Sequence, residues 1–217
     1  MRILTFDIEE WFNILETKAN SNYKSWDNFE VRIHRNMDII FNFLDTYNIK
    51  ATFFVVGWIA ERYPDIIKKI GAMDCEIGSH TYFHQLMYKQ SRSQVNEDLN
   101  KSISIIENIT GKKVKYFRAP GFSLTESNKW VFELLNLNGI THDCSIFPSV
   151  RAHGGFPSFK SSLPSLIDVN GIKIKEFPIN LYNLFGKELV FSGGGYFRLL
   201  PYNFIKRFTK NSDYIMS

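Results

Sequence analysis

Apolar residues are distributed along the chain in two alternating patterns. Short continuous runs, which predict buried strands, lie at residues 2–6, 51–56, 75–77, 114–117 and 140–144. Longer stretches with an apolar residue every three or four positions, which predict amphipathic helices, lie at residues 29–47, 59–70, 93–111 and 126–137. Strand and helix therefore alternate up to residue 145, which is typical of a parallel α/β sheet, either open or closed as a barrel.

The pattern becomes less regular after residue 150. Residues 172–178 alternate like a strand, residues 193–195 form a glycine turn, and residues 201–209 predict a short helix that opens with proline. Residues 213–217 resemble the beginning of another strand. A length of 217 residues without a repeat or a low-complexity linker fits one domain, so we expect residues 1–217 to fold together.

Composition narrows the class of protein. Hydrophobic residues make up 44% of the chain and charged residues 22%, which allows a real core and argues against disorder. The net charge of +4 is scattered without a basic cluster, so no nucleic-acid partner is expected. No apolar run approaches the roughly 18 residues of a membrane span, and the N-terminus lacks a signal-peptide pattern. Because Cys75 and Cys144 are widely separated, we expect reduced thiols and a cytoplasmic location, alone or beside a membrane pathway.

Polar residues follow four of the predicted strands. The carboxyl ends of parallel strands form one face of an α/β sheet, where active sites lie, so these residues are expected to converge. They are Asp7, Glu9 and Glu10 after the first strand, His80 and His84 after the third, Arg118 after the fourth and Asp143 on the fifth.

The acidic segment after the first strand suits metal and proton chemistry. On an extended backbone Asp7 and Glu9 point to the same side while Ile8 points away. One carboxylate is then placed to bind a metal ion and the other to handle a proton. A solvated loop is the alternative interpretation of such a run of acids.

The two histidines are four residues apart. On a helical turn that spacing puts His80 and His84 on one face, where both imidazoles reach the same ion. Two histidines and one carboxylate leave coordination positions open for water and substrate, which is the catalytic pattern of a metal site. A structural role for either histidine is the alternative.

Three further residues are candidates for supporting roles. The guanidinium of Arg118 is able to orient a carboxylate with two hydrogen bonds, although a surface charge is the simpler interpretation. The N–H of Gly121 is able to donate to a developing oxyanion, because glycine allows close approach of the backbone. Asp143, with Ser145 two residues later, is placed to hold either a ligand hydroxyl or a neighbouring loop.

Taken in this order, the motifs resemble those of the polysaccharide deacetylases with a NodB-homology domain, carbohydrate esterase family four. The resemblance rests on Thr5-Phe6-Asp7, on Ser79-His80 through His84, and on Arg118-Ala119-Pro120-Gly121. It extends from residue 4 to about residue 148. The sequence Asp-Ile-Glu-Glu-Trp, with Ser-Ile-Phe-Pro at 145–148, Glu-Phe-Pro at 176–178 and Gly-Gly-Tyr-Phe-Arg at 194–198, is similar to the branch found in exopolysaccharide and lipopolysaccharide pathways.

The resemblance implies a deformed (β/α) barrel that removes N-acetyl groups from an amino sugar or polysaccharide. It implies Asp7 as the catalytic base, with Arg118 and Gly121 also catalytic, and His80 and His84 as ligands of a divalent metal ion, in the first place Zn²⁺. The usual third ligand follows the base directly, where this chain has Ile8, so the role passes to Glu9, with Glu10 as the alternative.

Further expectations concern the substrate and the proton donor. Trp11, Asp143 and Ser145 are expected to contact the N-acetylated glycan. The family's final motif supplies a histidine that protonates the leaving amine, and no histidine follows residue 213. We therefore expect either C-terminal truncation or a substitute such as His153. The alternatives to a deacetylase are a non-catalytic glycan-binding homologue and a hydrolase of a non-sugar amide. The oligomeric state is left open.

Overall fold

Parallel strands form the centre of the fold in the computed structural model, which describes residues 1–15, 23–150, 154–184 and 186–217. In chain order the described strands are β1 (Arg2–Ile3), β2 (Thr5–Ile8), β3 (Thr52–Val55), β4 (Glu76–Ser79), β5 (Tyr116–Phe117), β6 (His142–Asp143), β7 (Ser165–Val169), β8 (Ile172–Glu176), β9 (Tyr182–Leu184), β10 (Lys187–Leu189) and β11 (Ile215–Met216). The main sheet has the order β2-β3-β4-β5-β6-β8-β7. All neighbours in it are parallel except β7, which pairs antiparallel with β8 at the edge.

The last described strand returns to the first. β11 pairs in parallel with β1, with Ile3 opposite Met216. The N–H of Thr5 then donates to the carbonyl of Ser217 at 2.7 Å, which continues the pairing along the outer side of β2. The predicted strand at residues 213–217 is thus confirmed. The parallel α/β architecture predicted from the alternation of strand and helix is confirmed as well.

Helices cover the sheet between successive strands. The described helices are α1 (Ile33–Tyr47), α2 (Gly57–Arg62), α3 (Pro64–Ala72), α4 (Arg92–Thr110), α5 (Val131–Leu137), α6 (Gly194–Leu199) and α7 (Tyr202–Asn211). None of them has both the length and the apolar character needed to cross a bilayer. Their buried faces meet the sheet in one large apolar cluster that includes Phe53, Ile59, Ile67, Leu99 and Phe117. Each such side chain contributes about 1.5–3 kcal/mol to the stability of the fold when it is fully buried. This core therefore fixes the positions of the strand ends.

Local chemistry explains where the helix predictions were right. The helix predicted at 93–111 is α4, which begins with a capping box between Ser91 and Gln94. It ends at Gly111, whose φ of 68° is the left-handed conformation that stops a helix.

Other helix boundaries were predicted wrongly. The single helix expected at 59–70 is broken before Pro64, which has no N–H to continue α2 and instead opens α3. The helix expected from residue 29 begins at Ile33. The segment 126–137 divides into a short 3₁₀ turn, Glu126–Asn128, and α5.

The region after residue 160 is more ordered than the sequence suggested. The strand at 172–178 is confirmed as β8, but its partner β7 and the β9–β10 hairpin were not predicted. The helix at 201–209 is confirmed as α7. The glycine turn at 193–195 is only partly right, because α6 begins at Gly194.

Candidate active site and metal centre

The ends of three parallel strands bring the predicted site residues to one edge of the sheet. β2 ends beside Asp7 and Glu9, β4 ends at Ser79 directly before His80, and β5 ends directly before Arg118. The parallel register of β2, β3, β4 and β5 aligns these ends. Residues separated by more than 100 positions therefore lie together, as the strand-end rule predicts.

The orientation of the two imidazoles is fixed by backbone carbonyls. Nδ1 of His80 lies 2.7 Å from the carbonyl oxygen of Arg118, and Nδ1 of His84 lies 2.7 Å from that of Asn13. A carbonyl oxygen only accepts, so each Nδ1 carries the proton and donates it. The Nε2 lone pair of each neutral ring is then free to bind a metal ion, in the arrangement common for metal-binding histidines.

Three ligand atoms converge from Glu9, His80 and His84. Nε2 of His80 lies 3.2 Å from Nε2 of His84, and Oε2 of Glu9 lies 2.9 Å from the latter. All three atoms lie within 4.8 Å of one another. Oε2 of Glu9 is buried and has no hydrogen bond of good geometry, despite the short distance to His84. Electron-rich atoms that face one another in this way fit a bound cation, and a His₂–carboxylate set suits Zn²⁺.

The pKa values of the two histidines are shifted in opposite directions from their ordinary value. Burial lowers the pKa of His80 below its ordinary value. Burial acts in the same direction on His84, but the adjacent Glu9 carboxylate outweighs it and raises the pKa of His84. A proton on His84 therefore competes with a cation for this cluster.

Glu10 has a different task from Glu9. Its side chain is 2% exposed, and Oε1 accepts hydrogen bonds from the N–H groups of Arg32 at 2.5 Å and Ile33 at 2.7 Å. These N–H groups belong to the first turn of α1, which otherwise lacks a side-chain cap. Glu10 is thus engaged in holding the start of α1, and this geometry favours Glu9 as the third ligand.

Asp7 lies next to the metal-ligand cluster and pairs with Arg118. Nη1 of Arg118 is 2.8 Å from Oδ1 of Asp7, while Oδ2 is 3.9 Å from Nε2 of His80. Burial tends to raise the pKa of Asp7, but the charges of Arg118 and His80 outweigh it and hold the pKa below its ordinary value. Asp7 is therefore ionised. Arg118 is itself fixed by packing on the ring of Phe54 and by a bond from Nε to the carbonyl of Cys144.

The segment from His80 to His84 is a loop, so the predicted helical turn is wrong. Thr81 and His84 have φ values of 63° and 52°, in the left-handed region. The carboxylate of Asp98 on α4 imposes this shape, because it accepts the N–H of Tyr82 at 2.5 Å and that of Phe83 at 3.0 Å. Sequence reasoning missed Asp98, whose only signal was a polar residue on the inner face of a predicted helix.

Asp143 and Ser145 do not face the substrate, which corrects the prediction for both. Each is completely buried, with no surface open to a ligand. The hydroxyl of Ser145 donates to Oδ1 of Asp143 at 2.5 Å and accepts the N–H of Ala119 at 2.8 Å. Burial and the charge of Asp143 raise the pKa of the neighbouring Glu176 well above its ordinary value. Through the hydrogen bond to Ala119, these buried residues hold the turn after Arg118 in place.

The remaining predicted residues are Gly121, Trp11 and His153. Gly121 has a φ of 59° in the turn after Arg118, a conformation that glycine adopts without strain. Trp11 is 37% exposed, but its indole N–H donates to the carbonyl of Glu30 and its ring packs edge-on against Phe29. The structure places Trp11 in this aromatic contact rather than among the groove residues. His153 lies outside the described residues.

A groove of about 450 Å³ opens over Asp7, Glu9 and Arg118. Sequence reasoning assigned no chemical role to residues 193–196 and Arg198, which also line this groove. We call residues 193–198 the GGGYFR segment. The glycine triplet was visible in the sequence, but its pattern did not indicate that it lines a groove together with residues at the strand ends. The rest of the lining consists of five apolar residues, Phe6, Phe122, Phe147, Ile179 and Val190, and three polar ones, Thr5, Ser192 and Ser217.

Two family models cover most of the chain. The model described as polysaccharide deacetylase matches residues 15–140, more than half of the chain, including His80, His84 and Arg118. The chain belongs to the polysaccharide deacetylase family. The match begins after Asp7 and Glu9, so the first motif rests on the geometry above. A second model, a domain of unknown function (DUF3473), matches residues 144–214 and includes the GGGYFR segment.

Curated relatives of this deacetylase-family chain match it in part. A peptidoglycan-N-acetylglucosamine deacetylase of Bacillus cereus is 34% identical over 91 residues, which are 42% of this chain and 33% of that protein. A bifunctional xylanase/deacetylase of Pseudobutyrivibrio xylanivorans is 31% identical over 105 residues, 48% of this chain and 17% of that protein. The chain thus spans a third or less of the length of these relatives.

Solved structures agree on the fold. A crystal structure assigned to a polysaccharide deacetylase of Mycobacterium smegmatis gives a TM-score of 0.65 at 22% identity, over 82% of this chain and 58% of that one. A CE4-family pseudoenzyme of Bacillus anthracis gives a TM-score of 0.51 at 23% identity, over 66% of this chain and 42% of that one. At these identities the likeness shows the fold alone. The fold expected from the resemblance of the motifs is thereby confirmed.

Proposed function

We propose that this chain is a metal-dependent hydrolase that removes N-acetyl groups from an amino sugar or polysaccharide. One observation carries the proposal: the metal-binding atoms of His80, His84 and Glu9 converge beside an ionised Asp7, and Asp7 and Glu9 line a groove. Family membership makes N-deacetylation the expected reaction. Glu9, His80 and His84 would hold the divalent ion, with Zn²⁺ the best fit to two imidazoles and a carboxylate.

The ion, when bound, would supply Lewis acidity to the acetamide carbonyl and to a water molecule. Asp7 acts as the general base and takes a proton from the water that attacks the acetamide carbonyl carbon. When the tetrahedral intermediate collapses, the C–N bond breaks, the amine nitrogen takes up a proton from solvent, and acetate and the free amine are released. Arg118 keeps Asp7 ionised and aimed through the 2.8 Å contact at Oδ1. The N–H of Gly121 donates to the oxyanion that develops on the carbonyl oxygen. Removal of a general base typically lowers the rate by about 10²–10⁴-fold, so Asp7 carries much of the expected rate.

The chain is further proposed to act as one catalytic domain over residues 1–217. The main sheet supports this, because β8 and β7, which fall in the second matched region, continue the sheet formed by β2 to β6. The pairing of β11 with β1 joins the two regions again at the other side. The exopolysaccharide branch, the substrate-binding role of Trp11 and the cytoplasmic location stay predictions.

Acetate release tests the proposal. Zinc-loaded protein is incubated with chitotetraose, and acetate is measured by a coupled assay, with the Asp7→Asn variant as the control. We expect release from the wild type, a loss of at least 10²-fold in the variant, and unchanged zinc content in both. Binding of the glycan without acetate would point instead to a non-catalytic homologue. Cleavage of small amides without release from any glycan would point to a non-sugar substrate.

A further inference from the structure

The GGGYFR segment places a positive charge in the groove that the proposed catalytic residues Asp7 and Arg118 also line. Arg198 is exposed and lines the same groove as Asp7 and Glu9. No hydrogen bond or ion pair joins its guanidinium to any residue in the described part of the chain. Its five N–H groups are thus available to a ligand in the groove.

The other charges of the groove are already compensated. Asp7 pairs with Arg118, and Glu9 faces His84 and the proposed metal position. Among the described groove residues, Arg198 is therefore the cation without an acidic partner. A ligand that lies in the groove beside the reacting centre therefore meets an uncompensated positive charge.

The glycines of the segment leave room for a ligand beside Arg198. A Cβ atom built on Gly193 or Gly195 meets no heavy atom within 4 Å, and one on Gly194 meets only the Arg198 guanidinium, at 3.8 Å. Core packing therefore does not explain the triplet. Tyr196, 38% exposed, presents a ring and a hydroxyl to the same groove. Open backbone, an aromatic ring and an arginine together form a surface on which a sugar is able to lie.

We propose that Arg198 and Tyr196 form a subsite for an anionic group, a carboxylate or a phosphate, carried by the glycan next to the N-acetyl sugar that reacts. This inference rests on the proposed function and specifies its substrate class as an acidic rather than a neutral glycan. Arginine fits both groups, because its planar fork makes two parallel hydrogen bonds to carboxylate or phosphate oxygens. A hydrogen bond to a charged group at a partly open site contributes about tenfold in affinity.

Calorimetric binding to the zinc-loaded protein tests the subsite independently of turnover. The probes are a hyaluronan tetrasaccharide, which alternates N-acetylglucosamine with glucuronate, the neutral chitotetraose, and N-acetylglucosamine 1-phosphate. The variant is Arg198→Gln. The matched control is Arg207→Gln, on the exposed side of α7 and outside the groove lining.

We expect the wild type to bind the acidic tetrasaccharide about tenfold more tightly than chitotetraose. Arg198→Gln should abolish this preference and leave the Kd for chitotetraose and the thermal unfolding midpoint unchanged, and Arg207→Gln should preserve it. Tighter binding of the sugar phosphate alone would assign the anion as a phosphate, and tighter binding of the tetrasaccharide alone as a carboxylate. Equal affinity for acidic and neutral probes, or a preference that survives Arg198→Gln, would overturn the subsite. Absence of acetate release with the preference intact would overturn the proposed function instead.

Discussion

Asp98 offers a quantitative test of how the loop between the two metal-binding histidines is held. Its carboxylate is 8% exposed and accepts the N–H groups of Tyr82 and Phe83 with its two oxygens. Burial raises the pKa of Asp98 from 3.8 to about 6, and the two hydrogen bonds offset only part of that increase. The native protein therefore binds this proton more tightly than the unfolded chain does.

The sign and the size of the pH effect follow from linkage. A carboxyl group whose pKa is higher in the folded than in the unfolded state stabilises the folded state fully when the pH is below its unfolded-state pKa. This stabilisation is lost as the pH rises through its folded-state pKa. For Asp98 this range is from about pH 4 to pH 6. A difference of roughly two pKa units corresponds to about 3 kcal/mol.

Urea unfolding in chelator at pH 4 and pH 7 measures this directly, for the wild type and for Asp98→Asn. The asparagine does not titrate, and its NH₂ group leaves one backbone N–H unpaired at a pH-independent cost of about 1–3 kcal/mol. The free energy of unfolding of the wild type relative to the variant should therefore decrease by about 2–3 kcal/mol from pH 4 to pH 7. The exposed Asn100→Ser on the same helix is the control, with no such change. A wild-type advantage that is constant with pH would refute the reasoning.

Three further predictions concern the metal ligands and the sheet. Glu9→Gln should weaken zinc binding by at least tenfold and change the stability of the protein little. Glu10→Gln should instead lower the free energy of unfolding by about 1–3 kcal/mol and leave the zinc affinity unchanged. The reverse result would exchange the roles of the two residues. Because the pKa of His84 is raised above its ordinary value, protons compete with zinc for this ligand, and zinc affinity measured by competition with a chromogenic chelator should fall as the pH decreases through the titration range of His84; an affinity independent of pH would contradict this competition. Gly78→Ala should destabilise the protein by more than about 1 kcal/mol in thermal unfolding, because the new Cβ would lie 2.7 Å from a backbone oxygen of β5. Gly195→Ala should leave the stability unchanged, because its Cβ would have no heavy atom within 4 Å. Equal effects of the two variants would contradict this packing.

The sheet and the meeting of the site residues were predictable because they depend on short local patterns. A run such as residues 51–56 has the length and the apolar content of a buried strand in any context. Once the strands are parallel, the position of Asp7, His80 and Arg118 at strand ends follows from topology. No side-chain contact had to be known to place them on one face.

The shape of the histidine loop could not be predicted from its spacing. Residues four apart share a face of a helix, but here the histidines meet because Thr81 and His84 adopt left-handed conformations. The interaction that holds them comes from Asp98, on a helix that begins eight residues after His84. A long-range hydrogen bond has no local signature.

The burial of Asp143 and Ser145 could not be predicted from the sequence either. Asp143 is the last residue of β6 and Ser145 follows it, as catalytic residues do, but their partner Glu176 lies on the next strand of the sheet, 31 residues beyond Ser145. Burial raises the pKa of Glu176 well above its ordinary value, which favours the neutral form of this carboxyl group beside Asp143 in the core. Only the three-dimensional packing distinguishes such a support from a substrate contact.

The most direct test of the proposed metal centre is a zinc titration of chelator-treated protein, with bound zinc and acetate release from chitotetraose measured on the same samples. Acetate release should rise in proportion to bound zinc and reach its maximum at one ion per chain. His84→Gln should show neither the bound ion nor the release. Acetate release that persists in excess chelator, or one tightly bound ion that produces no acetate from any N-acetylated glycan, would contradict a catalytic metal centre at Glu9, His80 and His84.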